Sequence, residues 1–178
     1  MRQRERAILF GGDGTFDLLT NTYTPRFFYN HLDREIALAT RAINQSRIYP
    51  ISLIAFRLPL NVKLTGEGAL GKNNKEKIQL EPHFTPYEKA LINIGKRLEK
   101  TMREGDVIAR IYESGFVIST RNQLSGTEAM KSRIEKLLPR EVETFVIEWR
   151  SGESRHSLIA RLDEHYFPAA NIVDNENQ

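Results

Sequence analysis

The sequence contains no cysteine. Disulfide bridges, thiolate zinc centres and cysteine nucleophiles are therefore excluded, and a reducing cytoplasm is the compartment that fits. Long hydrophobic runs are missing as well. The longest, Ile51 to Phe56, is interrupted by Ser52 and falls far short of the roughly 20 residues a membrane-spanning helix needs. The amino terminus, Met1-Arg2-Gln3-Arg4-Glu5-Arg6, is charged with no apolar stretch behind it, so no secretory signal is read there. Neither sign of charge dominates: 26 basic against 23 acidic residues leave +3, too near balance to argue for DNA binding by bulk electrostatics. No internal repeat or low-complexity segment is present. What remains is a 178-residue chain, 40% apolar and 28% charged, which has the length and balance of one globular domain with a substantial core.

Periodicity predicts the elements. Thr24-Pro25 opens a helix, a capping hydroxyl before proline at the first helical position, and Phe28, Leu32, Ile36, Ala39 and Ile43 form its apolar stripe to about Gln45. Ile51 to Phe56 reads as a buried strand, followed by a polar loop from Pro59 to Phe84 that carries Lys63, Lys72, Lys75 and Lys77. Thr85-Pro86-Tyr87-Glu88 is a capping box opening a second helix, with Leu91, Ile94, Leu98 and Met102 on its buried face. Val107 to Tyr112 and Phe116 to Thr120 flank a turn at Glu113-Ser114 and read as a hairpin. Met130, Ile134 and Leu137 mark a third helix, Thr144 to Trp149 a strand, and Leu158, Leu162 and Tyr166 a fourth helix. This order predicts an α+β sandwich: a ferredoxin-like βαββαβ core whose mainly antiparallel sheet, of five strands or nearly five, is flanked by helices.

Two glycine-rich stretches imitate phosphate loops. Gly11-Gly12-Asp13-Gly14-Thr15 matches the nucleotide-binding turn of diacylglycerol and NAD kinases, but only ten residues precede it where a full βαβ unit is required. Gly66 to Lys72 nearly spells a P-loop. Asn73 stands where a magnesium-binding Ser or Thr belongs, and no amphipathic helix follows. The first is read as a flexible glycine-rich entry loop, the second as a solvated loop. Glu88 is accounted for by the capping box, and His31, His83, His156 and His165 lack ligand spacing.

Three motifs in order carry a resemblance. Asp17-Leu18-Leu19-Thr20, followed by Arg26 and Phe28, is similar to D-x-L-T-x-L-x-N-R-R-x-F, departing at Thr22, Thr24 and Pro25. Asp106 to Phe116 looks like D-x-x-x-R-x-[G-G-D/E-E-F], with Asp106, Arg110 and Phe116 in place. Leu158-Ile159, Leu162-Asp163 and His165-Tyr166-Phe167 are similar to L-L-x-x-A-D-x-A-L-Y. The chain thus resembles the GGDEF (diguanylate cyclase) family across residues 15 to 170. The resemblance implies a flexible segment over 1–14, a degenerate nucleotide-cyclase-like domain over 15–170 and a tail over 171–178.

The departures fall on the positions the family uses for chemistry. Tyr112 and Glu113 replace the two hairpin glycines that make room for the triphosphate, and Ser114 and Gly115 replace the carboxylates of metal binding and catalysis. Arg57 and Pro59 replace the two aspartates of the first strand, and Ala170 aligns with a phosphate-contacting lysine. Phosphoryl transfer rests on positioning and divalent-metal electrostatics, so the resemblance implies a chain with no catalytic residue, no metal and no cofactor, and hence not an enzyme.

Arg103-Glu104-Gly105-Asp106 keeps the arginine and aspartate of the family's R-x-x-D inhibitory site, where cyclic di-GMP binds. A guanidinium forks onto phosphate or the Hoogsteen edge of guanine, and a carboxylate accepts from guanine N1 and N2. Arg at a helix C-terminus and Asp in a turn are also ordinary structural choices, so both readings stand at this point. Arg133 and Arg110 are secondary candidates, the first as an arginine shared with a neighbouring protomer, the second chiefly as support for the hairpin. The expected function is a bacterial regulatory module that receives cyclic di-GMP and meets a protein partner or a second copy of itself. The alternative is a nucleotide-independent scaffold that uses the hairpin and the lysine-bearing loop. The expected location is the cytoplasm, alone or as the soluble part of a larger or membrane-associated protein.

Overall fold

The structure, a computed structural model, describes residues 14–59 and 84–166. Strand β1 (Ser52–Arg57) is central, because both of its edges are paired and five of its six residues are buried. Its near-continuous apolar run follows from that position: a strand covered on both faces has no polar side to alternate with. It pairs antiparallel with β3 (Gly115–Thr120) on one edge and with β4 (Glu143–Glu148) on the other, and β2 (Val107–Tyr112) lies outside β3, giving the order β2-β3-β1-β4. With helices α1 (Pro25–Asn44), α2 (Pro86–Thr101), α3 (Leu124–Glu135) and α4 (Arg155–Tyr166), the order from β1 onward is βαββαβ plus a final helix.

Alternation along the strands divides the core. Leu53, Ala55, Val117 and Ile147 face Phe28, Leu32 and Ala39 of α1 and Leu158 and Leu162 of α4. Ile54, Phe56, Phe116 and Ile118 face Leu91, Ile94 and Leu98 of α2 and Met130 and Ile134 of α3. Each fully buried Phe, Leu or Ile contributes roughly 1.5–3 kcal/mol.

The sheet has four strands among the described residues, in line with the expected five or nearly five. The fifth is a single bridge: Tyr23 N–H donates to the Ile108 carbonyl at 3.0 Å, and Arg110 N–H donates to the Tyr23 carbonyl at 2.9 Å. Asn21, with φ of 60°, turns the chain just before Tyr23, and Pro25 starts α1 just after it, so the contact cannot lengthen.

The capping box at α2 forms as predicted, with Thr85 Oγ accepting from Glu88 N–H at 3.2 Å and Glu88 Oε2 accepting from Thr85 N–H at 2.8 Å. Thr24 instead turns its hydroxyl to the Gly14 carbonyl and makes no side-chain cap. Leu137 was expected on the α3 stripe. The helix stops at Glu135 ahead of Pro139, and bonds from Leu137 N–H to Ile134 O and Leu138 N–H to Glu135 O tighten the turn, so that Leu138 is buried and Leu137 exposed. Ile43, the last member of the α1 stripe, is likewise exposed. The lysine-bearing loop and both glycine-rich stretches lie largely outside the described residues, as does Ala170.

Candidate functional site

The two regions singled out by sequence occupy opposite ends of the β2–β3 hairpin. The Tyr112–Gly115 pair closes one end, and Val107 faces Ser119 near the other. Six strand residues separate them, about 20 Å at 3.3 Å per residue.

At the closed end, Arg57 Nε donates to Glu143 Oε2 at 2.7 Å, and the guanidinium lies 5.8 Å from the Phe145 ring centre. Arg57 is thereby committed to β4. The Leu58 N–H donates to the Ser114 carbonyl at 2.8 Å and Tyr87 Oη donates to the Leu58 carbonyl at 2.8 Å, which ties the half-buried Pro59 segment and α2 to the turn. Tyr112 donates its hydroxyl to Asp163 of α4. A register shift between Ala109 and Tyr112 places Ile111 and Tyr112 together on the α1/α4 face, where simple alternation would have kept them apart. Glu113 is exposed, and its carbonyl accepts from Arg110 Nη2 at 2.8 Å. Burial pushes the Tyr87 hydroxyl above its ordinary pKa.

The closed end offers few groups suited to a divalent cation of the kind the resemblance implies. A hard cation takes oxygen ligands, chiefly carboxylates. Here the positions offer a guanidinium, a hydroxyl and a glycine, and among the described residues no three His, Asp or Glu side chains converge.

At the open end, α2 stops at Thr101 and the chain turns through Arg103 to Asp106, with Gly105 at φ of 96°, a left-handed conformation that glycine adopts without steric cost. Asp106 Oδ2 accepts from Arg103 N–H at 3.1 Å, and Asp106 N–H donates to the Arg103 carbonyl at 3.2 Å. A cleft of about 160 Å³ lies there, lined by Arg103, Glu104, Gly105, Asp106, Arg121 and Asn122. Arg103 is exposed, and among the described residues its guanidinium makes no hydrogen bond or ion pair. Arg133, exposed near the end of α3, and Arg110, whose Nη1 lies 3.3 Å from both Asp17 oxygens, do not line the cleft.

No protein-family model matches the sequence, and neither does any curated protein sequence. Solved structures do. The GGDEF domain of DgcB from Caulobacter crescentus, in complex with c-di-GMP, matches with a TM-score of 0.67 and 19% identity over 88% of this chain and 87% of that one. The chain has the GGDEF-domain fold. Diguanylate cyclase SiaD from Pseudomonas aeruginosa, in complex with its activator SiaC, gives 0.64 at 15% identity over 90% of this chain. Vibrio cholerae LapD, covering S helix, GGDEF and EAL segments, gives 0.64 at 13% identity over 95%. This chain spans 59% of the SiaD chain and 38% of the LapD chain.

Within the GGDEF fold, Arg121 on the wall of the open-end cleft is held from behind by a constellation that sequence reading missed. Glu35 of α1, only 4% exposed at its side chain, receives Arg121 Nε on Oε2 at 2.7 Å and Arg121 Nη2 on Oε1 at 2.8 Å. Tyr49 Oη donates to Oε2 at 3.0 Å, and the Arg121 guanidinium lies 5.3 Å from the Tyr49 ring centre. Burial alone would raise the Glu35 carboxyl, but the bonds from Arg121 and Tyr49 outweigh it and hold the group below the usual carboxylate range. The same pairing pushes the Arg121 guanidinium up. The only available signal was Glu35 itself, one residue before Ile36 and three after Leu32 of the apolar stripe, a charge on the margin of a buried face.

Proposed function

We propose that this chain is a catalytically inactive GGDEF-fold module that receives cyclic di-GMP through Arg103 and Asp106. One observation carries the reading: the two side chains line one cleft, remote from the degenerate hairpin turn, and the Arg103 guanidinium has no partner among the described residues. Cyclic di-GMP presents phosphodiester oxygens and guanine edges together, the mixed chemistry that a guanidinium beside a carboxylate matches. The cleft is smaller than the roughly 300–1,000 Å³ of an enclosing small-molecule site, so it grips one edge of the ligand and leaves the remainder for another surface. Inactivity is supported by the chemistry of the closed end. Arg57 repels a cation and Gly115 supplies no ligand, while Tyr112 is engaged with Asp163. Calorimetric titration with cyclic di-GMP, with and without magnesium, tests the reading: saturable metal-independent heat is expected, and its absence removes the receptor role.

A second reading, a nucleotide-independent interaction scaffold, is favoured by a different observation. An open groove of about 550 Å³ is lined by Ile43, Ile48 and Leu124, all exposed, with Trp149 also among its walls. Exposed apolar side chains gathered in one groove mark protein contact surfaces. SiaD, of the same fold, was solved with its activator SiaC. A signalling partner or a second copy of this chain would dock there, and a wild-type chain that ignores cyclic di-GMP makes this the leading reading.

A further inference from the structure

We infer that Arg121 is the phosphate-binding group of the open-end cleft, with Glu35 and Tyr49 as its positioning residues. The inference rests on the receptor reading for the identity of the nucleotide, but its own ground is geometric. Arginine carries five N–H donors in a rigid fork. Nε and one Nη2 proton are spent on Glu35, which leaves three of the five donors directed elsewhere. The side chain is 55% exposed and lines the same cleft as Arg103 and Asp106.

Three features make this more than a surface arginine. The carboxylate that holds it is almost wholly buried, and a second donor, Tyr49, fixes that carboxylate in turn. The Tyr49 ring lies close to the guanidinium, so the fork's orientation is set from two directions. A buried ion pair is moreover a poor way to gain stability, since packed apolar side chains of similar volume do as well or better. An arginine whose rotamer is already selected loses less freedom when it takes an anion. The division of labour follows. Arg121 faces a phosphate, while the Asp106 carboxylate, which would repel an anion, takes guanine donors. Glu104, also on the cleft wall, favours a ligand with donors as well as phosphate.

The test is binding of cyclic di-GMP and, separately, of inorganic pyrophosphate to the full chain, read by calorimetry and by backbone amide shifts at 103–106 and 120–122. Arg121→Lys keeps a charge beside Glu35 but removes the fork on both edges. It is expected to weaken cyclic di-GMP at least tenfold in chain that remains folded, as read from the amide shifts. Glu35→Gln is expected to weaken binding through disorder of Arg121, with part of the loss recovered at low salt. A wild-type-like affinity for both Arg121→Lys and Arg121→Ala, while Arg103→Ala loses binding, overturns the role of Arg121 and leaves the receptor reading standing. Pyrophosphate binding that depends on Arg121, without cyclic di-GMP binding, keeps the phosphate site and removes the receptor reading. A wild type that binds neither overturns both.

Discussion

Arg110 Nη1 lies 3.3 Å from each carboxylate oxygen of Asp17, joining the opening motif to the hairpin across 93 positions of sequence. Asp17 also accepts from the Thr20 backbone N–H at 2.8 Å and the Thr20 hydroxyl at 2.7 Å, so one carboxylate closes its own turn and docks it on β2. The segment around Thr20 packs close to α2, where an added Cβ on Gly95 would meet Thr20 Cβ at 3.4 Å. Asp17→Ala removes an ion pair whose members are both mostly buried and leaves the Arg110 guanidinium short of an acceptor. A loss of about 1–3 kcal/mol in unfolding free energy is expected, read from the urea midpoint. A change below about 0.5 kcal/mol removes the Asp17–Arg110 contact from the fold's supports.

Incubated with GTP and magnesium or manganese, the chain is expected to make no cyclic di-GMP. Restoring glycines and carboxylates at 112–115 alone is not expected to rescue activity, because the resemblance aligns Arg57 with a metal carboxylate. Product above a no-protein control, detected chromatographically, contradicts the first statement. Product from the hairpin-only variant contradicts the second.

Substitutions around the cleft separate it from the hairpin turn. Arg103→Ala is expected to weaken cyclic di-GMP ten- to hundredfold, the equivalent of losing about 1.5–3 kcal/mol for a charged hydrogen bond. Asp106→Ala is expected to act similarly, both by leaving guanine donors unpaired and by releasing the Arg103 N–H it now accepts at 3.1 Å. Ser114→Ala, about 20 Å away along the hairpin, is expected to leave affinity unchanged. Equal losses at Ser114 and Arg103 would place the ligand elsewhere.

Acid is expected to destabilise the fold in two stages. Burial holds the His31 imidazole below its ordinary pKa, so the unfolded chain takes up that proton first and stability begins to fall below about pH 6.5. Glu35 is held below the usual carboxylate range despite its burial, by Arg121 and Tyr49. Its contribution is present above about pH 4.3 and lost as pH falls through the folded value. Unfolding free energies measured from pH 7 to 3 should show both stages, with His31→Gln flattening the first and Glu35→Gln the second. An unaltered acid slope in Glu35→Gln would mean that the buried carboxylate does not govern acid unfolding.

Local chemistry was legible wherever one segment contained all the partners. The capping box needs only Thr85 and Glu88, three residues apart, and it forms. The hairpin needs two apolar runs around Glu113-Ser114, and β2 and β3 lie there. The α3 stripe failed at Leu137 because the helix tightened ahead of Pro139, a change of pitch that periodicity does not report. The Thr24 hydroxyl was misread for a related reason, since its actual acceptor, Gly14, is brought near only by the fold of the opening turn.

The order of elements, the central place of Ile51 to Phe56 and the Arg103–Asp106 turn follow from residue type and spacing, because burial on a repeating backbone imposes a period that the chain itself records. The Glu35–Arg121–Tyr49 constellation does not. Its members lie 14 and 86 positions apart, and each alone is an ordinary helix, loop or strand-end residue. The cleft they support exists because antiparallel pairing sets Val107 opposite Ser119, which brings the turn after α2 beside the chain leaving β3. A buried carboxylate is tolerable only when its partners arrive with it, and that arrival is a property of the folded sheet rather than of any stretch of sequence.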